Sequence, residues 1–162
     1  FKKPPVVAIF VKVNFPLLLV ILGAVFTAIV QSSSAATGVV ITMVGTGILP
    51  LSLALFIVLG ANIGTCVTAV ISSLGANGDA KRVAVTHLTI KIIAALLCMI
   101  PFAIICGFSP AFLDKIPNVW GIATFHTLFN VVTTFVLLPF TNQIMKLSYI
   151  FVKEKTKKKK VA

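Results

Sequence analysis

Residues 17–49 read LLLVILGAVFTAIVQSSSAATGVVITMVGTGIL, and this stretch decides the fold. Apolar residues fill positions 17–30 and most of positions 35–49, and the polar run QSSS stands between them. At about 1.5 Å per residue, neither apolar run is long enough to cross a hydrocarbon layer of about 30 Å by itself. Two half-length apolar runs that meet at a polar turn are typical of a re-entrant helical hairpin, which we predict for residues 17–49.

The composition of the whole chain predicts that a membrane surrounds it. Of its 162 residues, 59% are apolar and only 10% are charged, with a mean hydropathy of +1.13. A soluble domain has about a quarter of its residues charged. The sequence therefore predicts an all-α integral membrane protein with the hairpin, about three to four transmembrane helices, and a bend at Pro139. Three of these helices are expected at residues 51–74, 83–108 and 119–149.

The charge pattern predicts how the chain is oriented. The formal net charge is +11, and lysines crowd into the segment after residue 150. Because these bases flank apolar runs, we interpret them as juxtamembrane charge and expect no nucleic-acid partner. The positive-inside rule places residues 79–82 and the polybasic tail 150–162 in the cytoplasm of a multi-pass plasma-membrane protein. Lys2 and Lys3 fall on the opposite side, unless residues 6–16 contribute to another crossing.

Few side chains are suited to catalysis or to metal binding. The three acidic residues, Asp79, Asp114 and Glu154, lie far apart, so we expect neither an enzyme nor a cofactor. The histidines lack cysteine or carboxylate neighbours and are expected to serve packing, not zinc binding. The three cysteines lie in apolar stretches and are expected to be buried thiols without a disulfide framework: Cys66, Cys98 and Cys106.

Three polar groups inside apolar runs are candidate functional residues. Gln31, Ser32, Ser33 and Ser34 form either a short extramembrane loop or the tip of a broken hairpin that lines a wet cavity for ions. Residues 60–65 are a candidate helix break, and there Asn62, Thr65 and, one turn on, Thr68 provide either tight packing or cation ligands. The third group is two pairs spaced i,i+4, each on one helix face: His87 with Lys91, and His126 with Asn130.

Lys91 is the most unusual member of these pairs. It follows Arg82 by nine residues, or about 13 Å along a helix, which brings it close to the middle of a membrane. A charge at that depth usually marks function. The alternative is that the helix starts later and the lysine side chain snorkels to the interface.

The tandem of QSSSA at 31–35 and LGANIGT at 59–65 resembles the type II sodium/phosphate cotransporter family. The likeness extends to His87 and to ATFHTLFN at 123–130, and it covers about residues 17–140. It implies one half of an inverted-repeat transporter core, in which Na⁺ and inorganic phosphate bind where two such hairpin tips meet. By this likeness Gln31, Ser32, Ser33 and Ser34 would line the site, and Asn62 and Thr65 would support it.

The resemblance also implies a missing partner, because only one hairpin tip is present and it resembles the C-terminal repeat. We therefore expect a fragment of a longer transporter, or a chain that pairs with another, in which Na⁺ is the coupling ion for phosphate symport. Lys91 stands where the family pattern has asparagine, and Cys66 stands where a second threonine is usual. A passive anion channel and a non-transporting component that binds partners through its tail remain as alternatives.

Overall fold

The computed structural model describes residues 15–108 and 118–152, and within these ranges every regular element is helical. Three helical spans there are long and apolar enough to cross a membrane: Leu51–Ser73, Gly78–Ile104 and Trp120–Phe151. The predicted all-α membrane fold is therefore confirmed. In chain order the helices are α1 (Pro16–Val30), α2 (Ser33–Gly45), α3 (Leu51–Gly64), α4 (Cys66–Ser73), α5 (Gly78–Phe108), α6 (Asn118–Leu137) and α7 (Thr141–Phe151).

Helices α1 and α2 form the hairpin. They contain 15 and 13 residues, so each is about 20 Å long, well short of the hydrocarbon thickness. Helix α1 begins at Pro16, whose missing N–H is no loss in a first turn. It ends at Val30, and the next residue, Gln31, caps it in a left-handed conformation (φ 59°). Helix α2 begins two residues after Gln31. Both helices pack against α3.

The glycines of α3 fit against the backbone of α1. A Cβ atom at Gly60 would collide with the carbonyl oxygen of Val20, and one at Gly64 would collide with the carbonyl oxygen of Ala24. Gly23 of α1 likewise faces the backbone of Ile57. The contacts advance in the same direction along both chains, so the two helices run parallel in close contact, as small residues permit in membranes.

The helix break that we expected across residues 60–65 is reduced to a single residue. Helix α3 continues through Gly64, and only Thr65 separates it from α4, with a backbone that stays right-handed helical (φ −60°, ψ −23°). The interruption is confined to Thr65 because glycine lowers helix propensity by only about 1 kcal/mol, which close packing can offset. The glycines therefore serve the contact with α1 and do not unwind the span.

The span Leu51–Ser73 lies at the centre of the fold. It is largely buried, whereas most residues of the two longer spans are at least partly exposed. A chain of aromatic contacts links α3 to α5 and α6: the ring centroids of Phe56 and Phe102 lie 5.1 Å apart, and those of Phe102 and Phe125 lie 6.0 Å apart. The outer faces of the bundle are left apolar, as contact with lipid or further helices requires.

Helices α5 and α7 pack together at one end of the bundle. The guanidinium carbon of Arg82 lies 4.2 Å from the ring centroid of Tyr149, and its Nη1 donates to Asp79 Oδ1 over 2.9 Å. A 3₁₀ turn, Leu138–Phe140, separates α6 from α7 at the bend predicted for Pro139. Helix α5 begins at Gly78, before the apolar stretch itself starts at Val83, because Asn77 Oδ1 caps its first turn by accepting from the Ala80 N–H.

Several predicted features lie outside the described residues. They include most of the predicted polybasic tail, most of the loop before α6, and the amino-terminal segment before Phe15. The residues concerned are Lys2, Lys3, Asp114 and Glu154. Residues 105–108 are described only as part of α5, so no side-chain environment is assigned to Cys106.

Candidate ion-binding site

The turn between α1 and α2 presents the polar run predicted to be the hairpin tip. The backbone N–H of Gln31 donates to the carbonyl of Thr27 over 2.6 Å, which closes α1. Ser32 is extended and caps α2, since its Oγ accepts from the Ala35 N–H over 3.2 Å. The backbone N–H groups of Ser33 and Ser34 have no acceptor among the described residues. Unpaired amides in the first turn of a helix, with serine hydroxyls beside them, favour an anion.

The position of this turn follows from the contact between α1 and α3. Gly64 meets Thr27, whose Cβ would lie 2.8 Å from a Cβ at the glycine. One further turn along both parallel helices brings Gln31 to the level of Thr68. Helix α1 also contacts α4. The tip therefore lies beside the span Leu51–Ser73 at the level of Thr68, five residues before the end of the span.

Asn62, Thr65 and Thr68 form a ladder of hydrogen bonds within α3 and α4. Asn62 is buried, and its Nδ2 donates to the carbonyl of Val58 over 3.0 Å. The hydroxyl of Thr65 donates to the Asn62 carbonyl over 2.6 Å, and the hydroxyl of Thr68 donates to the Thr65 carbonyl over 3.0 Å. Because these hydroxyl hydrogens are engaged, the oxygens keep their lone pairs, which is what a cation ligand requires.

Two further hydroxyls, missed in the sequence, flank the tip. Thr27 precedes Gln31 by one turn, and Thr37 follows Ser33 by one turn. Both are buried, and neither Oγ1 has a hydrogen-bond partner among the described residues. A buried hydroxyl without a partner costs about 1–3 kcal/mol, so these oxygens suit a ligand or an ordered water. The sequence did contain a signal for them, namely one threonine a helical turn before Gln31 and another a turn after Ser33.

The two polar pairs on α5 and α6 meet each other. Lys91 Nζ donates to Asn130 Oδ1 over 2.7 Å, and Asn130 Nδ2 donates to the carbonyl of His126 over 2.8 Å. His87 and Lys91 also line a cavity of about 300 Å³ between α5 and the α6–α7 bend. None of the tip residues, nor Asn62 or Thr65, lines this cavity. In the described ranges no three metal-ligating side chains come together.

This fold and this geometry define a class: an all-helical membrane protein in which a short helical hairpin carries a polar tip beside a longer span. The sequence profile of the Na⁺/Pi-cotransporter family matches residues 9–146. Because this match covers most of the chain, the chain belongs to the Na⁺/Pi-cotransporter family, and the resemblance stated from the sequence is confirmed.

Several curated proteins are similar to this chain. The "Uncharacterized protein YqeW" of Bacillus subtilis is 35% identical over 139 residues, which are 83% of this chain and 43% of that protein. The "Putative inorganic phosphate export protein YjbB" of Escherichia coli is 32% identical over 126 residues, 78% of this chain and 23% of the relative. The rabbit "Sodium-dependent phosphate transport protein 2A" is 46% identical over 59 residues, 36% of this chain and 9% of the relative.

The chain thus spans less than half the length of these relatives. No solved structure matches the chain.

Proposed function

We propose that this chain is part of a transporter that moves inorganic phosphate across the plasma membrane together with Na⁺. One observation carries the proposal: a serine-rich turn between two helices that are too short to span lies beside the interior of a full-length span. Polar backbone at such a depth is tolerated where it lines a water-filled or ion-binding site. Family membership and the names of the relatives support phosphate as the substrate.

In this proposal the hairpin tip binds the anion. Serine hydroxyls, the amide of Gln31 and the unpaired N–H groups of Ser33 and Ser34 donate to the phosphate oxygens. Sodium binds to nearby hydroxyl and carbonyl oxygens, for which Thr27, Thr37 and Thr65 are the candidates, and it offsets the charge of the anion. Asn62 supports this wall from within α3.

Half of the proposed site comes from elsewhere. Gln31 and Ser34 are exposed, and Ser32 and Ser33 are half-buried. A phosphate held only by these groups would be open to water on one side, so we propose that a second repeat, in the same or another chain, closes the site. Alternating access then follows from movement of one repeat against the other.

The direction of net transport depends on the Na⁺ gradient and is a separate question. Coupling to an inward Na⁺ gradient would drive phosphate inward, whereas the name of YjbB refers to export. This name favours a second candidate, a transporter of the same architecture that works as an exporter. Both candidates use the same hairpin tip.

The test is radiolabelled phosphate flux in vesicles that contain the full-length parent protein. We expect concentrative flux that is lost when choline replaces Na⁺, and imposing the gradient in either direction distinguishes uptake from export. Sodium-independent flux would refute the coupling. Flux that saturates poorly and never accumulates phosphate would favour a passive channel, and the absence of flux would favour a non-transporting component.

Substitutions at the tip test the site itself. Gln31→Ala and Ser33→Ala each remove a donor to a charged ligand, worth about 1.5–3 kcal/mol, so phosphate affinity should fall about tenfold or more. Ser52→Ala is the matched control, because Ser52 lies at the start of α3, sixteen residues or about 24 Å along the span before Thr68, which is level with the tip. Tip variants with unchanged phosphate affinity would refute the proposed site.

A further inference from the structure

The cavity between α5 and the α6–α7 bend has no role in the proposed function. Its volume of about 300 Å³ lies at the lower end of the range for small-molecule sites. It has room for a small ion and several waters, at about 30 Å³ each. The lining includes His87, Lys91, Thr133, Thr134 and Thr141 besides apolar side chains, and no residue of the hairpin.

Lys91 brings a positive charge to this cavity without an acidic partner. Asp79 is the one acidic residue in the described ranges, and it pairs with Arg82, nine residues before Lys91 on α5. The one hydrogen bond that Lys91 Nζ makes there is to the neutral amide oxygen of Asn130. An ammonium group has three donors, so two remain for a ligand.

The cavity also lies at some depth along the membrane-spanning helices. Lys91 is about 13 Å along α5 from Arg82, which contacts Tyr149 at the end of α7. Thr141 precedes Tyr149 by eight residues, about 12 Å along α7. The two helices therefore bring Lys91 and Thr141 to the same depth. An uncompensated charge at membrane depth is expensive, and an anion in the cavity would compensate it.

The threonine hydroxyls distinguish among anions. Thr133 donates to the Phe129 carbonyl over 2.5 Å, Thr134 to the Asn130 carbonyl over 2.6 Å, and Thr141 to the Leu138 carbonyl over 2.8 Å. Their hydrogens are therefore engaged, and their oxygens can only accept. A fully deprotonated oxyanion has no hydrogen-bond donor for these oxygens, whereas an anion that carries its own O–H group can donate to them.

We propose that this cavity is a second anion site, which binds a hydrogen phosphate ion between the ammonium of Lys91 and the threonine oxygens. Inorganic phosphate fits both halves of the cavity, because at neutral pH it combines negative oxygens with at least one P–OH group. Sulfate lacks the donor, and so does the phosphodiester of a lipid headgroup. Discrimination of this kind is expected where acceptors would otherwise stay unpaired.

The experiment measures binding and not transport, and it removes the hairpin tip as a source of signal. The full-length protein carrying Gln31→Ala and Ser33→Ala is purified in detergent, and its melting temperature is followed as phosphate is titrated at constant ionic strength. We expect saturable stabilisation, since a ligand that binds only the folded state raises the melting temperature. Adding Lys91→Met should weaken the apparent affinity at least about tenfold.

Matched controls make the result specific. Lys146→Met removes an exposed lysine from α7 and should leave the titration unchanged. Sulfate should bind about tenfold more weakly than phosphate, and phosphatidylglycerol micelles should not compete. If Lys91→Met does not fold, Thr134→Val keeps the charge and removes one acceptor, and it should narrow the preference for phosphate over sulfate.

The proposal would be overturned by the absence of stabilisation in the tip-deficient background, or by stabilisation that survives Lys91→Met. Equal binding of sulfate would overturn the role of the threonines. Competition by phosphatidylglycerol would reassign the cavity to a lipid headgroup. The proposed transport function is tested separately, because the tip variants used as background here are the ones expected to fail in the flux assay.

Discussion

The backbone of Gln31 forms the turn of the hairpin, and its side chain is the one that we assign to ligand binding. It is the one residue other than glycine with a positive φ in the described ranges, at 59°. This conformation costs an ordinary L-residue about 1–2 kcal/mol, and asparagine tolerates it best because its short polar side chain bonds locally. The residue that we assign to ligand binding is therefore also the one that ends α1.

Substitutions at Gln31 should separate these two roles. Gln31→Asn keeps an amide and suits the left-handed backbone, so we expect a melting temperature close to that of the parent protein. Gln31→Val places a β-branched side chain there, which tolerates a positive φ less well than glutamine does, and should lower the free energy of unfolding by on the order of 1 kcal/mol. Gln143→Val, on an exposed helical position of α7, is the control for the side-chain change. Equal stability of Gln31→Val and Gln143→Val would contradict the assigned turn.

Among the elements, the parallel contact between α1 and α3 determines where the hairpin lies. The contact depends on glycine at three positions where the backbones touch: Gly23, Gly60 and Gly64. Lipid tails are as apolar as leucine side chains, so close packing and not the hydrophobic effect holds such helices together. A shift of one helix along the other would move the tip to another depth.

Gly60→Ala tests this contact. The added methyl group would meet the Val20 carbonyl, and overpacking of this kind costs about 1–3 kcal/mol. We expect a lower melting temperature for the purified full-length protein, together with weaker phosphate binding at the tip. Gly38→Ala is the matched control, since a Cβ at this helical position of α2 meets nothing within 4 Å and alanine is the better helix former. If the two variants have the same stability, the packing argument fails.

For the whole molecule, the helix directions determine which loops share a side of the membrane. Arg82 against Tyr149 brings the start of α5 and the end of α7 together. The span Leu51–Ser73 ends next to the start of α5. The connection between α2 and α3 precedes Leu51, so it lies at the other end of the bundle. Lys81, Arg82 and Lys146 belong to α5 and α7, near the end that leads into the lysine run, so by the positive-inside rule we expect that end to face the cytoplasm.

Cysteine labelling of intact cells tests this arrangement. In the full-length protein with its native cysteines replaced by serine, Ala76→Cys and Ile150→Cys should resist a membrane-impermeant reagent. Thr46→Cys, in the connection before α3, should be modified from outside. All three positions are exposed, so a difference in labelling between them reports the side of the membrane and not the burial of the residue. Modification of Ala76→Cys and Ile150→Cys from opposite sides would contradict the fold, and modification of both from outside would contradict the orientation.

The sequence by itself determined that this protein is an all-helical membrane protein with a hairpin around Gln31–Ser34, and that it resembles the Na⁺/Pi cotransporters. These conclusions follow from hydropathy, segment length and local motifs, which are properties of neighbouring residues. The expected break at residues 60–65 was local reasoning as well, and the structure confines it to Thr65. The sequence could not show this, because glycine has the same signature whether it unwinds a helix or admits a neighbouring helix.

Only the tertiary structure decided which residues meet. The contact of Gly64 with Thr27, the hydrogen bond from Lys91 to Asn130 and the stacking of Arg82 on Tyr149 join residues that are 37, 39 and 67 positions apart. The buried hydroxyls of Thr27 and Thr37 that have no partner in the described ranges, and the cavity beside Lys91, also result from such contacts between distant parts of the chain. Their formation depends on the register and direction in which whole helices pack, and no short stretch of sequence encodes that geometry.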